Sequence, residues 1–300
     1  MAMINMDGIL IGEVETKNIM TKSSLPVGGY SVNPYVGCTH ACKYCYASFM
    51  KRFTGHREEW GTFLDVKHWP EIKNPKKYAG QRVVIGSVTD GYNPQEEQFG
   101  NTRKLLEQLV GSDADILICT KSDLVVRDID LLKKLGQVTV SWSINTLDES
   151  FKNDMDAAAG IERRIAAMKK VYDAGIRTVC FVSPVFPGIT DFEAIFERVK
   201  DQCDLFWLEN LNLRGGFKKT IMDYIAEKHS DLIPLYDEIY NKHNRSYFEA
   251  LERKAEEMAK KYACLFVDNE MPYGRAPQGH PVIVDYFYHE EIRGSENTGK

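Results

Sequence analysis

The sequence predicts an α/β fold built on a parallel sheet, and three observations carry that expectation. From residue 82 to residue 211, short β-branched or apolar runs alternate with helical patterns, the rhythm of βαβ units with right-handed crossovers. The strand runs are mostly continuously apolar rather than alternating, as in strands covered on both faces. A length of 300 residues suits an α/β barrel formed as one domain.

The elements follow in order. ILIGEVE (9–15) is a short strand candidate, and YSVNPYVG (30–37) is the first strong strand. Residues 47–81 are polar and aromatic, with Pro70 and Pro75, and predict a short helix and a long loop. RVVIGS (82–87) is the second strand. TRKLLEQLVG (102–111) is a helix, with Leu105 and Leu109 four apart and Gly111 as its stop. DILICT (115–120) and QVTVSWSI (137–144) are strands flanking a helix at 128–136. A helix at 160–175 precedes the strand IRTVCFVSP (176–184). TDFEAIFERVK (190–200) begins with a capping box, Thr190 three before Glu193. DLFWLENL (204–211) is the sixth strand. Residues 217–263 are mostly helical, with Phe248, Leu251, Ala255, Met258 and Tyr262 on one face, and ACLFVDN (263–269) is a late strand. The end, 289–300, is polar and expected to fray.

Apolar content of 43% and charged content of 27% describe a globular chain with a sizeable core. At a net charge of −5, nucleic acid is not attracted globally, so any such contact needs a local basic face. No apolar run approaches the length of a transmembrane helix, and MAMINMDG lacks a signal-peptide pattern. The expectation is a cytoplasmic, reducing location without membrane contact, where seven cysteines, an odd number, make a poor disulfide framework.

Three of those cysteines, Cys38, Cys42 and Cys45, fall within eight residues of the loop after the first strand. Three readings compete. A structural zinc site wants four ligands, usually as two separated pairs; His40 is available as a fourth, but ligands so close in sequence do not readily surround a tetrahedral ion. A disulfide leaves one thiol over. An iron–sulfur cluster held by three thiolates leaves one iron open for a small molecule.

The pattern C-x3-C-x-Tyr-C (Cys38, Cys42, Tyr44, Cys45), placed after the first strand of a parallel α/β array, resembles the radical S-adenosylmethionine (SAM) superfamily. GCTHACKYCYA, GSVTD, TKS and SINT together resemble its spore photoproduct lyase-like branch, and also the B member of the radical SAM mobile pair group, over about residues 13–215. The resemblance implies a partial (β/α)6 TIM-type barrel over 30–216. An N-terminal segment (1–29) packs on it, and a mostly helical C-terminal extension (217–300) with a late strand belongs to the same domain. It also implies a 4Fe–4S cluster on Cys38, Cys42 and Cys45 whose fourth iron binds SAM, and reductive cleavage of SAM to a 5′-deoxyadenosyl radical. An external electron donor supplies the electron.

Barrel chemistry sits at the C-terminal strand ends. The resemblance places Tyr44 near the adenine; Ser87, Thr89 and Asp90 near the methionyl ammonium; Lys121 and Ser143 near the carboxylate; and Ser183 beside the adenine. Asn212 stands in an unusually polar strand end with Glu209, Asn210 and Arg214. Tyr44 and Tyr46 flank Cys45 and are candidate catalytic residues able to relay a radical. Cys119, Cys180 and Cys203 lie in apolar surroundings and are expected to pack as small hydrophobes. His56, His68 and His280 are isolated site candidates.

The lyase-like branch implies a nucleic acid or nucleotide substrate. Basic segments at 51–57 and 214–219 mix lysine and arginine with aromatics and glycine, and 73–77 carries three lysines, a composition able to meet phosphates and bases. One departure stands out. Val88 occupies the place of the lyases' hydrogen-donating cysteine, and no cysteine lies between Cys45 and Cys119, so thymine-dimer repair is not expected. Two alternatives remain: a radical enzyme for a peptide or small metabolite, and a cluster- and SAM-binding subunit partnered by a second radical SAM protein.

Overall fold

Parallel strand pairing dominates the computed structural model, which describes residues 3–4, 8–23, 29–268 and 281–288. His280 and the polar end at 289–300 lie outside the described residues. The chain divides into two units, Met1–Trp142 with Asn153–Thr178, and Ser143–Lys152 with Val179–Lys300.

In the first unit, β1 (Tyr30–Val32), β2 (Arg82–Ile85), β3 (Asp115–Thr120) and β4 (Gln137–Ser143) pair in parallel in that order. Tyr30 lies opposite Val83, Ile85 opposite Ile118, and Ile118 opposite Val140. Val83, Val84, Ile85, Ile116, Leu117 and Ile118 are all buried, which explains why these strands read as unbroken apolar runs. Helix α1 (Asn101–Leu109) buries Leu105, Leu106 and Leu109, and α2 (Ile161–Asp173) buries Ile161, Ile165, Met168 and Val171, both at helical spacing.

Three expectations need correction here. The stretch 30–37 is not one strand: β1 ends at Val32, and beyond Pro34 the pair Tyr35–Val36 joins a separate small sheet with Leu10–Glu15 and Phe63–His68. Proline lacks the ladder donor that a continuous strand needs. The strand Phe63–His68 falls where a loop is predicted; its Asp65, Lys67 and His68 mask the buried Phe63, Leu64 and Val66. The helix expected over 128–136 is a 3-10 turn (Leu124–Asp128) and one α turn (Ile129–Leu132), since so short a segment has little helical stability of its own.

In the second unit, β5 (Arg177–Val185) pairs from Val179 with β6 (Leu205–Asn210). Strands β7 (Phe266–Asp268) and β8 (Val282–Asp285) continue the sheet, also parallel, in the order β7, β8, β6, β5. β8 is not foreseen in the sequence. Helix α3 (Phe192–Val199) lies against β6, Phe196 meeting Phe206 edge-on at 5.2 Å. Its cap is Asp191, whose carboxylate accepts from the Ala194 N–H at 3.0 Å. Thr190 instead donates to the Asn145 carbonyl at 2.9 Å, so the predicted capping box does not form. The extension is helical as expected: α4 (Phe217–Lys228), α5 (Ile233–Tyr240) and α6 (Ser246–Lys261), the last burying Phe248, Ala255 and Met258.

Asp285 on β8 gives a pH-dependent term. It is 3% exposed, and burial pushes its carboxyl up to about 7, against the Phe287 N–H that it accepts and with Glu252 and Asp268 adding to the rise. An acid whose folded pKa exceeds its unfolded value, about 4, binds its proton more tightly in the fold. Its contribution is therefore complete below about pH 4 and is lost as pH rises through 7. Asp285→Asn, which keeps an acceptor for Phe287, is expected to raise stability at pH 8 and to flatten the decline between pH 5 and 8 in denaturant titrations. Parallel curves for the two proteins would contradict this.

Candidate active site

The cysteine loop leaves the Tyr35–Val36 strand through Gly37, whose positive φ of +83° and the close Phe63 carbonyl both demand glycine. Backbone bonds then pin the loop within the first unit: Lys43 N–H donates to Met155 O at 2.9 Å, and Ala157 N–H donates to His40 O at 2.8 Å. Cys45 starts a 3-10 helix, Tyr46–Phe53.

The three thiols lie close enough to perturb one another. Burial pushes Cys38 up to about 12, and the charges of Asp90 and Cys45 add to it. Burial likewise holds Cys42 well above the ordinary thiol range; the Lys121 ammonium opposes this, while Asp156, Cys38 and Cys45 reinforce it. Cys45 is raised by burial, with Lys121 again among the groups acting against it. Three clustered thiols, two of them under the influence of one cation, fit an iron–sulfur cluster, on which thiolates carry the negative charge. Among the described residues, no three or more His, Cys, Asp or Glu side chains form a single-ion site. A cluster makes a different demand, since each thiolate takes its own iron.

His40 is tied to the second strand end through one ring nitrogen, while its Nδ1 has no hydrogen-bond partner among the described residues. Its Nε2 sits 2.9 Å from the Asp90 carboxylate, with both side chains buried. Asp90 also accepts from the Tyr92 N–H at 2.8 Å, the Thr120 hydroxyl at 2.9 Å and the Lys121 N–H at 2.7 Å. One carboxylate thus ties the cysteine loop to the ends of β2 and β3. Ser87 bonds the Ser31 hydroxyl at 2.5 Å, and Thr89 is buried with its N–H on Asn33 Oδ1 at 3.2 Å. Asn33 also takes the Val88 N–H at 3.1 Å and donates to Ser87 at 3.2 Å. It shapes the whole GSVTD turn, and only its place before Pro34 hinted at that.

Tyr44 is buried, its hydroxyl donating to Asp156 at 3.2 Å, and the Lys121 Nζ stands 5.5 Å from its ring centre. Asp156 pairs with Arg164 at 2.8 Å. Neither residue carries a sequence signal, because their partners are remote or lie across a helix turn. Tyr46, by contrast, is exposed and donates its hydroxyl to the Ser87 carbonyl. His56 and His68 engage acids, Asp65 and Glu58 for the first and Glu13 for the second.

Cys38, Cys42, Cys45, Tyr44, Tyr46, Ser87, Thr89, Asp90 and Lys121 therefore come together in the first unit. Ser143, Ser183 and Asn212 belong to the second, and all three are half-buried. Ser183 donates to Glu209, and Asn210 accepts from the Tyr288 N–H at 2.8 Å. Of the basic segments, 214–219 is largely engaged, Lys218 with the Tyr240 carbonyl and Lys219 with Asp223. In 51–57, Arg52 stacks over Phe49 and Phe53 at 5.4 and 4.7 Å, and both rings are exposed. No helix among the described residues is long and apolar enough to cross a membrane.

Residues 32–199 match the model of the radical SAM superfamily. An uncharacterized protein of Methanocaldococcus jannaschii is 34% identical over 78% of this chain and 88% of its own length. A radical SAM Nα-GlyT isomerase of Pseudomonas phage M6 is 27% identical over 58% of this chain and 36% of its own. Among solved structures, a spore photoproduct lyase complexed with dinucleoside spore photoproduct shares the fold, with a TM-score of 0.53 at 17% identity, over 71% of this chain and 65% of the lyase. The chain thus spans less than two thirds of either the isomerase or the lyase.

Proposed function

The chain belongs to the radical SAM superfamily, and from that premise we propose that Cys38, Cys42 and Cys45 hold its cluster and that its substrate is a nucleic acid or nucleotide. Membership makes it a radical SAM enzyme whose cofactors are a 4Fe–4S cluster and SAM. When bound, these supply hydrogen-abstracting radical chemistry. The observation that carries the ligand assignment is that the thiols of one short loop act on one another, with the Lys121 ammonium acting on Cys42 and Cys45.

In this reading the chain's residues divide the work. Lys121 offers its ammonium to the SAM carboxylate as a charge-assisted donor. Tyr44, locked by Asp156, forms a wall beside the cofactor. Asp90 sets the turn that presents Ser87 and Thr89. Tyr46 is the exposed hydrogen or radical relay. Lys121→Ala should weaken SAM binding by roughly 1.5–3 kcal/mol while iron content holds; unchanged affinity would return Lys121 to a packing role over Tyr44.

Support for the substrate comes from three sides. The lyase-like fold belongs to a protein crystallised with a dinucleoside photoproduct. The phage relative's name places its chemistry on a GlyT group. The chain's own charge adds a third: from Thr16 to Arg57 it has six basic residues and no acidic one, within a protein of net charge −5. Binding of single-stranded DNA or RNA is then local, so log affinity should fall with log salt at a slope of only about −2 to −4. Arg52→Ala with Arg57→Ala should make the slope shallower. Affinity for no nucleic acid at any salt would reject the substrate assignment and leave the cofactor assignment standing.

A further inference from the structure

The 3-10 helix that follows the cysteine loop carries an aromatic surface that the cofactor assignment does not use. Phe49 and Phe53 stand four apart on Tyr46–Phe53, 47% and 67% exposed. Every other phenylalanine of the chain is buried or half-buried, so these two rings depart from the pattern that the rest of the fold obeys. Arg52 lies over both, its guanidinium carbon 5.4 Å from the Phe49 ring centre and 4.7 Å from that of Phe53. Those distances are within cation–π range. Three flat groups, two rings and a guanidinium, are thus gathered at one place, while the buried residue of the helix is Ala47.

The charge around this surface selects what can cover it. From Thr16 to Arg57 the chain has six basic residues and no acidic one, against a net charge of −5 overall. Lys51 donates its ammonium to the Arg57 carbonyl at 3.0 Å, which folds the turn after the helix back toward it, and Arg57 is exposed. The basic run stops at Glu58 and Glu59, and His56 sits 3.0 Å from the Glu58 carboxylate. The complementary partner is therefore anionic, and flat groups select one whose apolar parts are flat faces. A single nucleic-acid strand offers both, phosphates and unpaired bases. A duplex keeps its base faces stacked inside.

We propose that Phe49, Arg52 and Phe53 form a stacking platform for unpaired bases of a single strand whose phosphates meet Arg57 and the basic run. This rests on the nucleic-acid reading and narrows it to a contact that depends on base faces and not on base edges. The platform takes every base, because each has a flat face to present. Its helix begins at the residue after Cys45, so the nucleotides it holds flank the one offered to the cofactor.

The test uses the full chain, reconstituted without oxygen and saturated with SAM, and short labelled strands read by fluorescence anisotropy: oligothymidylate, oligoadenylate and an abasic strand of equal length. Both base-bearing strands should bind about tenfold tighter than the abasic one, the worth of a single stacked base. Phe49→Ala with Phe53→Ala should erase that preference and leave the salt slope as it was, since no cation is lost. Phe49→Leu with Phe53→Leu, which keeps apolar bulk without the rings, should erase it too, whereas Phe53→Trp should retain it. Iron content and the urea midpoint check that each variant is folded, and the comparison with the abasic strand stands without any variant. Equal affinity of the unaltered protein for all three strands would overturn this inference and spare the nucleic-acid reading, as an acidic protein partner at this surface predicts. A preference that survives in the alanine or leucine pair would place the stacking elsewhere and overturn it likewise. Binding of no single strand at any salt would remove the nucleic-acid reading itself.

Discussion

Alanine at any one of Cys38, Cys42 or Cys45 is expected to abolish both iron loading and SAM cleavage. Protein reconstituted anaerobically with iron and sulfide should be brown, hold about four irons per chain as one cubane does, and release 5′-deoxyadenosine when reduced. The effect is expected to be all or none because the three thiols are the cysteines of one short loop, and the remaining four stand elsewhere in the sequence. Cys180→Ala is the matched control: that thiol is buried in β5 and should be silent for iron. A triple variant that keeps its iron and still cleaves SAM would remove the ligand assignment altogether.

The second large effect concerns the Arg164–Asp156 pair. Both side chains are 1% exposed and meet at 2.8 Å, and Arg164 also donates to the Ala159 carbonyl at 2.7 Å. Asp156 in turn holds the Tyr44 hydroxyl and the Ala158 N–H. Arg164→Ala strands a buried carboxylate beside Tyr44 and Cys42, which should cost about 3–5 kcal/mol in urea unfolding of the iron-free protein. Arg164→Met combined with Asp156→Leu removes both charges and should cost much less. If the single and double variants lose equal stability, packing volume rather than charge pairing explains the site.

Much of the architecture was legible because it rests on periodicity. The apolar runs that became β2, β3, β5 and β6 are buried on both faces, and α1 and α2 show their stripes directly in the sequence. What escaped notice was too short or too mixed in polarity. Phe63–His68 alternates buried apolar residues with Asp65 and Lys67, and β8 is four residues long. In the site, Cys38, Cys42, Cys45 and Lys121 announced themselves by spacing and by standing at strand ends. Asn33, Asp156 and Arg164 did not, since each acts through a partner brought near only by folding.

The cysteine loop is stitched to its own unit through Met155, Ala157 and Asp90 by bonds that involve no thiol. Domains that fold around their metal lose their shape with it; a loop fastened independently does not depend on the metal in that way. Damage to the cluster by oxygen then becomes a repairable event. The stripped protein is then expected to keep the loop backbone in place and to take up iron again on reconstitution.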